Sequence, residues 1–375
     1  MEVKTFKYRN KEEEAYRILK KRVNQYFKDR GITKFANTQV IVKAILIVLI
    51  FIGSYALIMS NHFSPLMMLL LAIVFGIASL MLGFNIGHDA AHNAFSSNRR
   101  VNNFLTSTVY AIGSSPYVWK IRHNLNHHAN SNIPEYDWTA YAHKKILTGN
   151  SNKIISKLSH YPHIYTPFLY SFYFIFLTFY KDFEIFYTNK IGDAYHFKPN
   201  LTEQILFPAS KLIYITFIFI LPMLFLSVTW WQVIIGYLIM HMVGGFIFAL
   251  VAIPPHMTED AVFPTVNDEG YLNHSRFTHN LDTTTDFARK SVVVNWIFGG
   301  FNTHVIHHLF PNICHVHYIA LSQILKDTAE EYGFNYKETS LWGAALSHYN
   351  FLKKMGQTTI SNDSTYTENL QTSKN

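Results

Sequence analysis

Eight histidines in three short clusters are the residues of this chain best suited to chemistry. They are His88 and His92 in "GHDAAHN", His123, His127 and His128 in "RHNLNHHANSN", and His304, His307 and His308 in "THVIHHLFP". Neutral imidazole is the commonest protein ligand for metal ions. Residues four apart share one face of an α-helix. On that spacing His88 points with His92, His123 with His127, and His304 with His308, while His128 and His307 turn away from these pairs. Such an arrangement suits two metal ions side by side better than one. Zinc takes four ligands in structural sites and three in catalytic ones, about half of what is offered here. No HExxH segment supplies the general base of a zinc protease. Imidazole alone does not choose among zinc, copper and iron. Cys314 is the only cysteine, which excludes an intrachain disulfide and a cysteine-built zinc or iron–sulfur site.

The segments that must position these histidines are apolar. Of 375 residues, 49% are hydrophobic and 15% charged, against about 25% charged in soluble domains. Four runs, at about 40–59, 65–86, 205–228 and 230–254, are each long enough to cross ~30 Å of hydrocarbon as a helix. The short link "SNHFS" joins the first two, and Trp230 and Trp231 mark an interface before the fourth. The spacing predicts two helical hairpins. Lys43, near the start of the first span, is expected to snorkel to the interface. Val101–Lys120 is expected to lie in the interface, and Tyr165–Tyr180 either to lie there or to re-enter the membrane.

The expected fold is therefore an all-α integral membrane protein: four transmembrane helices as two hairpins, interfacial helices, and a cap carrying the histidines. Residues 1–38 form a basic segment, 39–355 the membrane domain, and 356–375 a polar tail of disordered composition. The N-terminus has no short apolar core before small residues and is not a signal peptide. The Lys/Arg bias of the N-terminal segment, against none in the two inter-hairpin links, predicts a cytoplasmic N-terminus. Four crossings then place the C-terminus and all three clusters on the same side. The net charge of +8 comes without a nucleic-acid-binding motif, so no nucleic-acid partner is expected.

"HDAAH", "HNLNHH" and "HVIHH", in that order, resemble the three histidine boxes of the membrane fatty acid desaturase family, which also includes related hydroxylases. "GHDAAHNAFS", "HHLFPNICHVHY" and "THNLDTTTDFA" resemble bacterial acyl-lipid and linoleoyl-CoA-type desaturases. The resemblance covers roughly residues 40–340. It implies two irons per chain, held by His88, His92, His123, His127, His128, His304, His307 and His308. It also implies a ninth ligand upstream of the third box. His279 in "FTHNLDTT" matches that position best, with His274 as competitor. Asp137, in "NIPEYDW", resembles a family position that supports a ligand, and Trp119, Arg122 and Trp138 are candidates to contact substrate. No catalytic group beyond the di-iron centre is implied.

The implied reaction inserts a cis double bond into an acyl chain carried on coenzyme A or a lipid, using O₂ and two external electrons. An unactivated methylene C–H bond is beyond acid–base catalysis, and zinc supplies no redox chemistry. The fused haem-binding HPGG is missing, so the electrons are expected from a separate ferredoxin- or cytochrome-type donor. The expected location is the bilayer of a bacterial inner membrane. Front-end members usually begin the third box with Gln; His304 stands there instead, as in methyl-end members, which leaves regioselectivity open. The alternatives are an acyl hydroxylase on the same scaffold and, more distantly, a metal transporter. A transporter predicts ionisable ligands within the spans, and beyond His241 and Lys211 these are nearly free of them.

Overall fold

A computed structural model of the chain describes residues 5–9, 13–134, 136–138, 160–192 and 195–372. Among these residues, four helices are long and apolar enough to cross a membrane: Thr38–Met59, Pro65–Ala91, Leu201–Phe225 and Trp230–Ala252. Each begins on a local signal. The Asn37 and Asn200 side chains accept from the amides of Val40 and Glu203. Ser64 caps a helix with Pro at its first position, and Thr229 with Gln232 forms a capping box. These caps occupy backbone donors that have no partner within the helix. The second spanning helix packs against both the first and the fourth, joining the two hairpins.

The second spanning helix does not stop at residue 86. It passes through a π-helical stretch, Gly83–Gly87, into His88–Ala91, so the first histidine box is its own last turn. Lys43 departs from expectation. Only 3% of it is exposed, and its Nζ donates to Asn85 Oδ1 at 2.8 Å, His315 Nε2 at 2.8 Å and the Trp296 carbonyl at 3.1 Å. The first span begins beneath the cap, so the ammonium is satisfied inside the protein and not at the interface.

The two segments expected at the interface are more broken than single helices. Val101–Lys120 becomes Arg99–Thr106, a 3₁₀ stretch Ser107–Ile112, and Pro116–Lys120. The break is Gly113, at φ 75°, where an added Cβ would meet Thr178 and Tyr214. Tyr165–Tyr180 is divided among Pro162–Tyr170, Tyr173–Phe176 and the π-helical Leu177–Lys181. It packs along the fourth spanning helix.

The cap joins sequence-distant segments. Ala15, Leu19 and Val23 of helix Glu14–Arg30 pack in one apolar cluster with Leu321, Leu325 and Ala329 of helix Tyr318–Glu331. Among the described residues, three two-residue strand pairs add ties: Lys7–Tyr8 parallel to Tyr271–Leu272, Lys190–Ile191 antiparallel to Tyr195–His196, and Asp286–Phe287 parallel to Glu338–Thr339. The last helix runs Leu341–Thr372, through the polar tail whose composition suggested disorder. An apolar layer packs together Phe84, Val118, Ile121, Trp138, Phe174 and Phe301. Full burial of one such aromatic side chain contributes about 1.5–3 kcal/mol.

Candidate metal centre

The three boxes converge, and a ninth histidine joins them. His88, His92, His123, His128 and His307 form one group, and His127, His256, His304 and His308 form a second. Within each group the ligand atoms lie within 4.8 Å of one another. Two glycines let the third box approach the first. Gly299 (φ 59°) lies where a Cβ would come 2.5 Å from the Phe84 carbonyl oxygen, and Gly300 (φ 80°) where one would strike Tyr318 and His315.

The second box divides differently from its spacing. Residues four apart were expected to point together, yet His123 groups with His128, and His127 belongs to the other group. The cause is a π-helical stretch, Ile121–His127, in which the His128 amide bonds to the His123 carbonyl. An i to i+5 bond stacks residues five apart instead of four. In the third box His304 and His308 do share a group and His307 faces the other, as α-helical spacing requires.

His256 was missed from the sequence, and His279, expected as the ninth ligand, belongs to neither group. His279 spends both ring nitrogens elsewhere: Nε2 donates to the Ser131 carbonyl at 2.7 Å, and Nδ1 accepts from the Tyr8 hydroxyl at 3.1 Å. His274 lies 3.3 Å from Asp282 and joins neither group. His256 donates from Nδ1 to the Thr283 carbonyl at 3.2 Å, which leaves its buried Nε2 without a protein partner. Its signal was positional: "PPHM" follows the fourth span directly, on the side where the boxes gather.

Outer nitrogens are held in the manner of metal ligands. His127 Nδ1 donates to Asp137 Oδ2 at 3.1 Å. His308 Nδ1 donates to Ser131 Oγ at 3.0 Å, and His307 Nδ1 lies 3.0 Å from the Tyr318 hydroxyl. Inner nitrogens converge. The Nε2 atoms of His88, His128 and His307 lie 3.0–3.2 Å from a neighbouring Nε2, about the separation of two ligands ~2.1 Å from one ion at a right angle. His92 Nε2, His304 Nδ1 and His308 Nε2 are buried without protein partners.

Burial lowers the pKa of His92, His123, His128, His304, His307 and His308, with neighbouring imidazoles adding to the effect. Burial likewise brings His256 down to about 3. Neutral rings that face one another inside a protein without hydrogen-bond partners are costly, and a metal ion removes that cost. The donor set fits two metal ions.

Comparison with known proteins gives the family. Residues 63–340 match the family model described as fatty acid desaturase. An sn-1 linoleoyl-lipid 6-desaturase of Synechocystis sp. is 32% identical over 91% of this chain and 95% of its own length. The chain belongs to the fatty acid desaturase family. A second desaturase of that description, from Arthrospira platensis, is 30% identical over 90% of this chain and 91% of its own. An acyl-lipid (8-3)-desaturase of Physcomitrium patens is 28% identical over 94% and 74%. The desaturase is thus an O₂-dependent oxidoreductase acting on fatty acyl chains, and its family implies the use of iron.

Of the desaturase's three expected substrate residues, Trp119 borders the histidine groups. The Trp119 ring lies 4.5 Å from that of His123, and Trp138 is buried in the apolar layer with Phe301, whose ring is 4.6 Å from His88. Arg122 is not placed to meet a headgroup at the surface. It is buried, with Nη1 4.0 Å from Asp182 Oδ1. Lys211 of the third span donates to the same carboxylate at 2.8 Å. The π-helical stretch turns Arg122 inward to this ion cluster.

Asp286 supports the third box. Its carboxylate accepts from the Val305 amide at 2.9 Å and from the Tyr336 hydroxyl. Burial pushes its pKa up to about 6. A folded value above the unfolded one means that the native state holds this proton longer. The associated stability is complete below the unfolded pKa and is lost as pH rises through about 6. From this group the wild type should lose about 3 kcal/mol between pH ~4 and ~6. Asp286→Asn is expected to flatten that slope in thermal unfolding measured against pH, and a slope equal to wild type would contradict the assignment.

Proposed function

We propose that each histidine group holds one iron and that the desaturase acts on an acyl chain esterified in a lipid. The observation that carries the metal reading is the convergence of nine imidazoles as five and four, with inner nitrogens facing each other and the outer nitrogens of His127 and His308 anchored. The ligands are His88, His92, His123, His128 and His307 at one iron, and His127, His256, His304 and His308 at the other. Bound iron supplies the redox site at which O₂ is reduced while two hydrogens leave adjacent methylenes. The balance is one saturated CH₂–CH₂ unit, O₂, two electrons and two protons giving one double bond and two waters.

The chain's own residues prepare that site. Asp137, Ser131 and the Thr283 carbonyl hold the Nδ1 protons of His127, His308 and His256, so each presents Nε2. Trp119, Trp138, Phe84 and Phe301 wall the centre with apolar surface that excludes water and receives the acyl chain. The electrons come from a separate carrier of ferredoxin or cytochrome type. The basic N-terminal segment supports a cytoplasmic cap on a bacterial inner membrane.

The relatives favour a lipid-bound linoleoyl chain and a new double bond at carbon 6, in the words of their descriptions. The test is expression in a bacterial host without polyunsaturated lipids, fed linoleate, with fatty-acid profiling of the lipids. A triene carrying a double bond at carbon 6 is expected. A hydroxylated product would shift the reading to a hydroxylase, and an unchanged profile alongside inserted, iron-loaded protein would contradict desaturation of this substrate.

A further inference from the structure

Asn132 stands where three segments of the centre meet. It is buried and adopts φ 59°, the left-handed region that Asn tolerates and most side chains avoid. Its amide nitrogen donates to the carbonyl of His256 at 2.8 Å, and it lies 3.3 Å from both the Thr283 and Val262 carbonyls. Thr283 is the residue whose carbonyl receives the His256 ring proton. The backbone N–H of Asn132 donates to Asp137 Oδ2 at 3.0 Å, the oxygen that also accepts from His127. Ser131, the residue before it, supports His308.

These contacts all reach one half of the centre. His256, His127 and His308 are three of the four histidines in the second group. The outer nitrogen of His307, in the first group, lies against Tyr318, and the hydrogen bonds of Asn132 run to Asp137, His256, Val262 and Thr283 instead. We infer that Asn132 is a positioning residue for the four-histidine iron alone: it clamps the His256 backbone and ring acceptor and fixes the carboxylate that orients His127. The inference rests on the di-iron reading above.

The test uses full-length protein purified in detergent and measures iron per chain together with the electron paramagnetic resonance of the ferric form. Asn132→Gly keeps the backbone conformation and the N–H to Asp137 but removes the amide. Asn132→Asp keeps the shape and removes the donors. Affinity at the second iron should fall roughly 10- to 100-fold, which takes iron from about two per chain to about one. A coupled ferric pair is silent, so the remaining iron should give a new isolated high-spin ferric signal. That signal should match the one from His256→Ala, which lacks a ligand of the same group.

Retention of both irons with no isolated signal would overturn the inference, and so would parallel loss of both. Aggregation of both variants on size exclusion would assign Asn132 to folding and overturn it as well. Wild-type protein without iron would instead refute the di-iron reading on which this stands.

Discussion

His256→Ala should abolish desaturation, lowering product formation by well over ~100-fold, more than the loss of an outer-shell partner costs. His279→Ala should leave most of the activity. The two residues are both buried histidines upstream of the third box, and burial lowers the pKa of each. Their hydrogen bonds separate them. His256 commits only Nδ1 to the protein and leaves Nε2 among His127, His304 and His308. His279 commits both nitrogens, to Ser131 and Tyr8. A ring with no free nitrogen cannot bind metal without breaking a bond it already has. Loss of His279 removes two hydrogen bonds that tie the N-terminal strand to the second box, a stability cost of about 1–3 kcal/mol. Fatty-acid profiles of the two variants at matched expression check this. Full activity in His256→Ala, or its absence in well-inserted His279→Ala, would reverse the assignment.

The second large effect is on stability. Lys43→Met should destabilise the chain by about 3–5 kcal/mol, as removal of one member of a buried ionic network does. The ammonium feeds His315 Nε2, and His315 Nδ1 in turn donates to Asp89 Oδ2 at 2.7 Å. The Cys314 thiol and the His315 amide reach the same carboxylate. Removing Lys43 leaves the Asn85 and Trp296 oxygens without this donor and Asp89 without the cation that offsets it through His315. Asp89 also lies 3.9 Å from His88 Nδ1, so the damage reaches the first box. The expected observation is a clear fall in the thermal unfolding midpoint in detergent. An unchanged midpoint would mean that the amine reaches the interface, as a lysine near the end of a span ordinarily does.

Most of the scaffold was legible because it follows from elementary requirements. Hydrocarbon thickness dictates the four spans, and the three boxes announce a metal centre by residue type and repetition. What escaped depends on backbone bonding that residue type does not encode. The π-helical stretch Ile121–His127 shifts the second box by one residue and so exchanges His127 and His128 between the two histidine groups. It also turns Arg122 inward to Asp182, where the sequence suggested a surface contact. Lys43 escaped because its partners Asn85, Trp296 and His315 lie 42, 253 and 272 residues away. His256 belongs to no box, and only the fold shows which lone histidine has a free nitrogen facing the others. Asp137 was legible because it lies ten residues from His127, close enough for the box to carry its own support.

The most direct test of the account is the metal content of the purified, full-length wild-type chain grown with iron. Two groups of five and four histidines predict about two irons per chain and little zinc. Zinc in place of iron, or one ion or none in folded protein, would contradict it.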